Sequence, residues 1–489
     1  MLGGSLRHHV LLWFGCAATL IALHAPFLRL PFHWDEMGQF IPAALDLYRD
    51  GAWVTHSAEP NIHPPGVMLI LAVAWKAVGY SILSSRLTML FLAATGLYLT
   101  FLLAVRLSRG TSGAPAFVAV AFLAAAPMFY TQSMMALLDM PAMVFTLLAL
   151  LLFLDERYAA SVLMATGLVL VKETAITTPM VFAAWLWFRS DRRREACYFL
   201  MPALALGGWL LILYRSTGSW FGNAEFQQYN VTQSLTPLHI LYAIFRRAYT
   251  LFFADGHWIG TLALVHGWRF LCNRDWSIAV AVALTQLAGV TIFGGAVLDR
   301  YLLPVLPILY IAFAVAISAY RPSRRLLSNV ALLALLVLGW FWNPPYPFPL
   351  ENNLAVIDFI QLQRRAGEYL ESNFRDNYVV TAWPLAEALQ RPELGYVQSP
   401  LKVRQSQGLH LREIQGVNAN TGDVIVTYSR GQDPPAALLA IPAVRDLVSG
   451  YMDLHPEATS EELETIGFEQ RIRWTKRGQW LEIYVRSSH

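Results

Sequence analysis

The segment "PPGVMLILAVAWKAVGY" (64–80) decides the topology of this 489-residue chain. It is apolar enough to enter a membrane, but a spanning helix needs roughly 20 apolar residues, so the segment is at the lower limit. If it spans, every later loop changes side of the membrane. The distribution of positive charge in those loops therefore determines how this segment is interpreted.

Eleven other apolar segments are candidate membrane-spanning helices. They are 10–28, 86–105, 114–130, 139–154, 158–171, 174–188, 197–214, 257–272, 276–293, 301–319 and 326–342. With eleven spans, the Lys- and Arg-bearing loops all fall on one side: 106–110, 155–157, 189–195, 273–275 and 321–325. Because such loops are typically cytoplasmic, we predict eleven spans, a cytoplasmic N-terminus and a cell-membrane location. Segment 64–80 is then a helix that lies at the outer membrane surface or dips partly into the membrane.

Charged residues are distributed unevenly along the chain. They make up only 14% of it, but residues 344–489 contain 32 of the 69. A soluble protein carries about 25% charged residues. We therefore predict a polytopic α-helical membrane domain (1–343), with outer loops 31–85 and 215–256, followed by an extracytoplasmic soluble α/β domain (344–489). The net charge of +3 argues against a nucleic-acid partner.

Local patterns refine these two domains. "AVIDFIQLQRRAGEYL" (355–370) has a helical period, whereas "NYVVTAW" (377–383) and "GDVIVTYS" (422–429) have the composition of strands. The segment 468–487 is typical of a hairpin around Arg477-Gly478. Segment 239–253 contains two arginines in an apolar run, which predicts an interfacial helix. The Pro-rich stretch 343–353 is the predicted linker.

The chosen orientation gathers charged side chains at the outer membrane face. They are Asp35, Glu36, His63, Asp139, Lys172, Glu173, Asp299 and Arg300. A charge near the membrane is costly, so it usually has a partner or a role. Asp139 could simply cap a helix, and Lys172 and Arg300 could pair with their neighbours Glu173 and Asp299. Their collection on one face favours a shared function.

These residue types suit a phosphate with a carboxylate beside it. His63-Pro64-Pro65-Gly66 predicts a helix start, where free N–H groups and the helix dipole attract anions. Lys172 and Arg300 can both bind phosphate. Asp35 and Glu36 point about 100° apart on a helix, so we expect one to face the site and the other to orient the loop. A lipid phosphate could then leave while a carboxylate accepts the proton of an attacking hydroxyl.

Several motifs together resemble the superfamily of protein O-mannosyltransferases and lipid A aminoarabinose transferases. They are "DEMGQFIPAALDLYRDGAWV" (35–54), "HPPGVMLILAVAWKAVG" (63–79), "LLDMPAMVFTLLALLLF" (137–153), "VKETAI" (171–176) and "DRYLLPVLPIL" (299–309). These families are integral membrane glycosyltransferases of the GT-C fold. The resemblance covers roughly residues 10–342, and its most specific part is the block from Asp35-Glu36 to His63-Pro64-Pro65.

The resemblance implies a polyprenyl-phosphate-linked sugar as donor, a hydroxyl acceptor and an inverting transfer. It implies catalytic acidic residues in the first outer loop, Asp35 with Glu36. It also implies a donor-phosphate or substrate site, for which the candidate residues are His63, Asp139, Lys172, Glu173, Arg300 and Tyr301. No cofactor is implied. Asp35 and Asp139 could share a divalent metal, but no ligand spacing argues for one, and we expect none to be obligatory.

The main alternative is a transporter or lipid flippase. Transporters carry charges and broken helices near the bilayer midplane. The predicted spans 114–130, 276–293 and 326–342 contain no Asp, Glu, Lys or Arg. The charges gather at one membrane edge instead, which favours the glycosyltransferase. A third possibility, a binding or assembly protein acting through 344–489, is weakened because that domain shows no site motif.

Overall fold

A computed structural model gives the structure of the protein. It describes residues 6–232, 235–342, 350–417, 423–429, 440–446 and 457–486. The chain forms two compact units. The first comprises Met1–Leu28 and Gln39–Trp340, and the second comprises Arg29–Gly38 and Phe341–His489. Most of the predicted linker (343–349) lies outside the described residues.

The described part of the first unit is helical. Its α-helices are α1 (Leu6–His24), α2 (Ile41–Asp50), α3 (Gly66–Val78), α4 (Ile82–Leu107), α5 (Pro115–Ala125), α6 (Pro127–Gln132), α7 (Asp139–Leu154), α8 (Tyr158–Val171), α9 (Thr177–Arg189), α10 (Arg193–Tyr198), α11 (Leu200–Thr217), α12 (Ala224–Gln227), α13 (Pro237–Phe252), α14 (His257–Gly267), α15 (Arg274–Phe293), α16 (Leu306–Ser318) and α17 (Pro322–Gly339). Each of the eleven predicted spans overlaps one or more of these helices.

The helices fit a polytopic membrane protein, and the number of spans stays a prediction. Five helical stretches of the described chain are long and apolar enough to cross a membrane. They are Arg7–Phe27, Ile82–Leu107, Arg193–Thr217, Arg274–Phe293 and Pro322–Gly339. Helix α3 has 13 residues, or about 20 Å of length, against a hydrocarbon core of about 30 Å.

Proline modifies two predicted spans. Segment 114–130 is two helices, because Ala126 is extended (ψ 126°) before Pro127, which lacks an N–H and disfavours the helical conformation of the residue before it. Segment 301–319 becomes α-helical only at Leu306, after the 3₁₀-helix Asp299–Leu302. Both breaks leave shorter helices than the sequence predicts.

A buried amide ties three helices of the first unit together. Gln286 on α15 donates from Nε2 to the hydroxyls of Thr146 on α7 (2.9 Å) and Thr178 on α9 (2.6 Å). Hydrogen bonds between helices satisfy polar groups where water is excluded. They hold α7, whose first residue is Asp139, against α9 and α15.

The second unit contains a five-stranded sheet. Its strands are β1 (Tyr378–Ala382), β2 (Lys402–Ser406), β3 (Val424–Tyr428), β4 (Phe468–Lys476) and β5 (Gln479–Arg486), in the order β2-β1-β3-β5-β4. Strand β1 is parallel to β2 and β3, and β5 is antiparallel to β3 and β4. The helices are α18 (Ala355–Asn373), α19 (Leu385–Gln390), α20 (Leu411–Gly416) and α21 (Ser460–Thr465).

The predicted α/β character of this unit is confirmed. Helix 355–370, strands 377–383 and 422–429 and the hairpin are all present. Arg477 and Gly478 both have positive φ (46° and 85°), as a two-residue hairpin turn requires. Strand β2 was not predicted, because "KVRQS" lies at a sheet edge and contains one apolar residue.

The second compact unit includes a segment from near the N-terminus. The split at Trp340/Phe341 lies close to the predicted 343/344, but Arg29–Gly38, predicted within the membrane domain, belongs to the second unit. The Phe32 N–H donates to the Leu394 carbonyl (3.1 Å), and the Tyr396 hydroxyl donates to the Phe32 carbonyl (2.8 Å). These contacts between residues far apart in sequence leave no local pattern.

Candidate functional site

The His63 ring lies within hydrogen-bond distance of Glu173. Its Nδ1 lies 2.9 Å from Glu173 Oε2, and both side chains are largely buried. Pro64 and Pro65 lead into α3, and Gly66 begins it. A Cβ on Gly66 would lie 2.4 Å from the Leu170 carbonyl oxygen, so only glycine lets α3 approach the end of α8 this closely. The HPPG motif therefore brings His63 beside Glu173.

The charge on Glu173 is favoured by its surroundings. Burial alone would raise its pKa, but the nearby His63 and Lys172 outweigh burial and lower the pKa below its ordinary value. Glu173 is therefore ionised at neutral pH. His63 therefore has a carboxylate of the protein itself, that of Glu173, as a partner.

Lys172 and Arg300 share Asp139. The Lys172 ammonium donates to Asp139 Oδ1, and Arg300 Nε lies 3.3 Å from Asp139 Oδ2. All three side chains are buried, with no more than 7% of the side chain exposed. Lys172 Nζ also lies 4.0 Å from the centre of the Tyr301 ring, a cation–π contact. The start of α7, the end of α8 and the 3₁₀-helix before α16 supply these residues.

Asp299 and Glu173 have partners on distant parts of the chain. Asp299 accepts from Arg246 Nη2 at 2.9 Å and from the Thr250 hydroxyl at 3.3 Å, both on α13. Glu173 contacts His63, as described above. These residues therefore make contacts beyond the local pairs Lys172–Glu173 and Asp299–Arg300 that the sequence suggests. The contact between Arg246 and Asp299 connects α13 to the 3₁₀-helix that also carries Arg300.

Arg247 is a site candidate that the sequence analysis did not select. It is buried on α13, and its Nη2 donates to the Val290 carbonyl at 3.0 Å. Its Nε and Nη1 have no hydrogen-bond partner among the described residues. It interacts electrostatically with Tyr301 and Asp299, and burial lowers its pKa to about 10, so it stays protonated at neutral pH. The sequence feature that could have identified Arg247 is its position beside Arg246 within the apolar run 239–253.

Asp35 and Glu36 lie in the second unit. Glu36 is fully buried, and its Oε2 accepts from the His33 N–H at 2.9 Å. It therefore holds the turn at the start of the π-helical segment Glu36–Phe40. Asp35 is partly exposed. The two adjacent carboxylates thus differ in environment, as the spacing argument expects, and the predicted site residues divide between the two units.

One further cluster among the described residues could hold a metal ion. It consists of Asp46 and Asp50 on α2 and His56 in the segment that follows α2. Asp46 already accepts from Thr55 Oγ1 (2.7 Å), from the N–H groups of His56 and Ser57 (2.9 Å each) and from Ser57 Oγ (2.6 Å). Through these hydrogen bonds, Asp46 holds the backbone and side chains of residues 55–57 in place.

The fold matches a known membrane enzyme. ArnT from Cupriavidus metallidurans bound to undecaprenyl phosphate aligns with a TM-score of 0.55 at 14% identity, over 98% of this chain and 98% of that chain. Its apo form gives a TM-score of 0.55 at 13% identity, over 96% and 98%. ArnT has the GT-C fold. At this identity the likeness establishes the fold, which is the one that the sequence resemblance implies.

Other comparisons add little. The oligosaccharyltransferase from Archaeoglobus fulgidus in the apo form gives a TM-score of 0.48 at 11% identity, over 98% of this chain and 74% of that chain. That score is too low to support a conclusion. No protein-family model matches the sequence, and a search of curated proteins gives no match. The chain has the fold of a polytopic GT-C membrane protein.

Proposed function

We propose that this protein is a membrane glycosyltransferase. It transfers a sugar from a polyprenyl phosphate to a hydroxyl on a protein, lipid or glycan at the outer face of the cell membrane. The observation that carries the proposal is a set of buried cations, here called the cationic cluster, which consists of Lys172, Arg247 and Arg300. Two donors of Arg247, Nε and Nη1, have no hydrogen-bond partner among the described residues. The cluster occurs in the fold of ArnT, a lipid A aminoarabinose transferase whose structure contains undecaprenyl phosphate.

The cluster suits the phosphate of the donor. A buried arginine with unsatisfied donors is costly, and a phosphate oxygen offers charge-assisted hydrogen bonds that offset the cost. Lys172 and Arg300 supply two more cations, which Asp139 orients, and Tyr301 supports the Lys172 ammonium through its ring. His63 and Glu173 complete the proposed substrate-binding set beside Lys172.

The proposed chemistry is an inverting substitution. Asp35 accepts the proton of the acceptor hydroxyl, whose oxygen attacks the anomeric carbon opposite the phosphate. The bond between that carbon and the phosphate oxygen breaks, and the phosphate leaves with the electron pair. Lys172, Arg247 and Arg300 stabilise the charge that develops on it, so the leaving oxygen needs no proton. Neither a cofactor nor an obligatory metal takes part in this scheme.

The first experiment identifies the donor. Purified protein is incubated with a panel of labelled polyprenyl-phosphate sugars, and donor consumption is measured, with slow hydrolysis counted as turnover. We expect wild type to consume one donor and Asp35→Asn to consume none. Binding without turnover, even with cell-extract acceptors present, would contradict the proposal and favour a transporter.

A second experiment tests the phosphate site directly. Binding of undecaprenyl phosphate is measured for wild type, Arg247→Gln and a control, Arg192→Gln, which changes an exposed arginine paired with Glu156. We expect Arg247→Gln to weaken binding by about tenfold to a hundredfold, because it removes a charge-assisted hydrogen bond of roughly 1.5–3 kcal/mol. Equal affinity in all three proteins would exclude Arg247 from the phosphate site.

A further inference from the structure

The backbone just before Asp35 is held by residues far along the chain. The Phe32 N–H donates to the Leu394 carbonyl at 3.1 Å, and the Tyr396 hydroxyl donates to the Phe32 carbonyl at 2.8 Å. Phe32 and Tyr396 are both buried, with 0% and 1% exposed. Both backbone groups of Phe32 are therefore fixed by one short stretch of the second unit.

Trp34 has an unusual backbone conformation. Its φ is 51°, in the left-handed region that bulky residues rarely occupy. Such a conformation persists only where the surroundings hold it. The Trp34 ring packs edge-on against Trp383, with centroids 4.5 Å apart and planes at 72°. The His33 ring packs similarly against Phe359 at 5.3 Å. Aromatic contacts thus support the strained residue that immediately precedes Asp35.

Trp383 also lies close to the chain after Asp35, at Gly38. A Cβ built on Gly38 would lie 3.5 Å from Trp383 Nε1 and 3.6 Å from its Cζ2, which is ordinary van der Waals contact. The Trp383 ring therefore packs against Trp34 and leaves little more than the space of a methyl group beside Gly38, so it flanks Asp35 and Glu36 on both sides. A side chain in this position limits how far the acidic turn can move.

We infer that Trp383 and Tyr396 are positioning residues for the Asp35 carboxylate. The inference rests on the proposed function, in which Asp35 is the general base. A base displaced by about 1 Å can lose about a hundredfold in rate. Trp383 and Tyr396 then serve catalysis without contacting the reacting atoms, because they fix the conformation of the loop that carries the base.

The experiment compares variants of the full-length protein in detergent. Trp383→Ala removes the ring, Trp383→Phe keeps an aromatic ring, and Tyr396→Phe removes one hydroxyl. Trp480→Ala is the matched control, because Trp480 is also a partly buried tryptophan of the second unit, on strand β5. Amide hydrogen exchange is followed in peptides covering 31–40, and kcat and KM are measured with the donor that wild type consumes.

We expect Trp383→Ala to speed exchange in 31–40 and to lower kcat by about tenfold to a hundredfold, with the donor KM changed by less than about twofold. Trp383→Phe should restore most of both properties. Tyr396→Phe should have a smaller effect in the same direction. Trp480→Ala should leave exchange in 31–40 and kcat close to wild type.

Two results would overturn the inference. One is unchanged exchange in 31–40 in both Trp383→Ala and Tyr396→Phe. The other is faster exchange with unchanged kcat. If Trp383→Ala does not fold, Trp383→Phe and Tyr396→Phe decide the question. If wild type consumes no donor, the proposed function fails, and so does the role in positioning a base; the exchange data then decide separately whether the contact exists.

Discussion

The two groups of predicted site residues are held by different forces. In the first unit, Asp139, Lys172 and Arg300 come from different helix ends and are fixed by buried charge pairs. In the second unit, the segment 29–38 is fixed by backbone hydrogen bonds and aromatic contacts. A substitution in the first group removes a partner from a buried charge, whereas one in the second changes the shape of a turn. Stability and activity should therefore respond differently.

The largest effect is expected for the two adjacent carboxylates. Asp35→Asn should lower kcat by about 10²–10⁴-fold, because an amide cannot accept the proton. Glu36→Gln should retain activity within about tenfold, because an amide oxygen can still accept the His33 N–H. Donor turnover measures both, and a similar loss in both variants would contradict the separate roles.

Removing the shared carboxylate of the first unit should have the next largest effect. Asp139→Asn leaves Lys172 and Arg300 buried without that charge, which should cost about 3–5 kcal/mol of stability. Thermal unfolding in detergent measures the loss. The exposed Arg192–Glu156 pair is the control, since Glu156→Gln should cost less than about 1 kcal/mol. Equal losses of stability at both sites would mean that burial does not determine how much the ion pairs of Asp139 contribute to stability.

A methyl group on Gly66 should have a moderate effect. Gly66→Ala would place its Cβ 2.4 Å from the Leu170 carbonyl oxygen and push α3 away from α8. Overpacking of this kind costs about 1–3 kcal/mol. Gly207→Ala on α11 is the control, because no atom lies within 4 Å of its Cβ position. Thermal unfolding compares the two, and a neutral Gly66→Ala would show that α3 can shift freely.

The smallest effect is expected for the loop around Asp46. Burial would raise the pKa of Asp46, but hydrogen bonds from Ser57, Thr55 and His56 lower it below its ordinary 3.8. A carboxyl group with a lowered pKa stabilises the fold above 3.8, and that stabilisation is lost as pH falls through the lowered pKa. Proteolysis between 51 and 57 should therefore increase only below about pH 4. Asp46→Asn should increase it already at pH 7.

Much of the first unit could be predicted because a membrane demands long apolar segments. All eleven predicted spans overlap helices, and α7 and α8 coincide with their predictions. The helix breaks at Pro127 and before Leu306 occur at or near prolines, whereas the hydropathy of both segments predicted uninterrupted spans. In the second unit, periodicity located α18, β1, β3 and the hairpin, whereas β2 was missed as a polar edge strand.

The candidate site could be predicted only as a set of residues. The sequence by itself determined which charged side chains border the apolar segments, because such charges are costly there and stand out from their surroundings. Only the tertiary structure decided their partners: Asp139 with Lys172 and Arg300, Asp299 with Arg246, and Glu173 with His63. It also revealed Arg247 and the attachment of 29–38 to the second unit. The physical reason is that ion pairs and packing act across space, while sequence patterns report only local periodicity and the solvent that each segment faces.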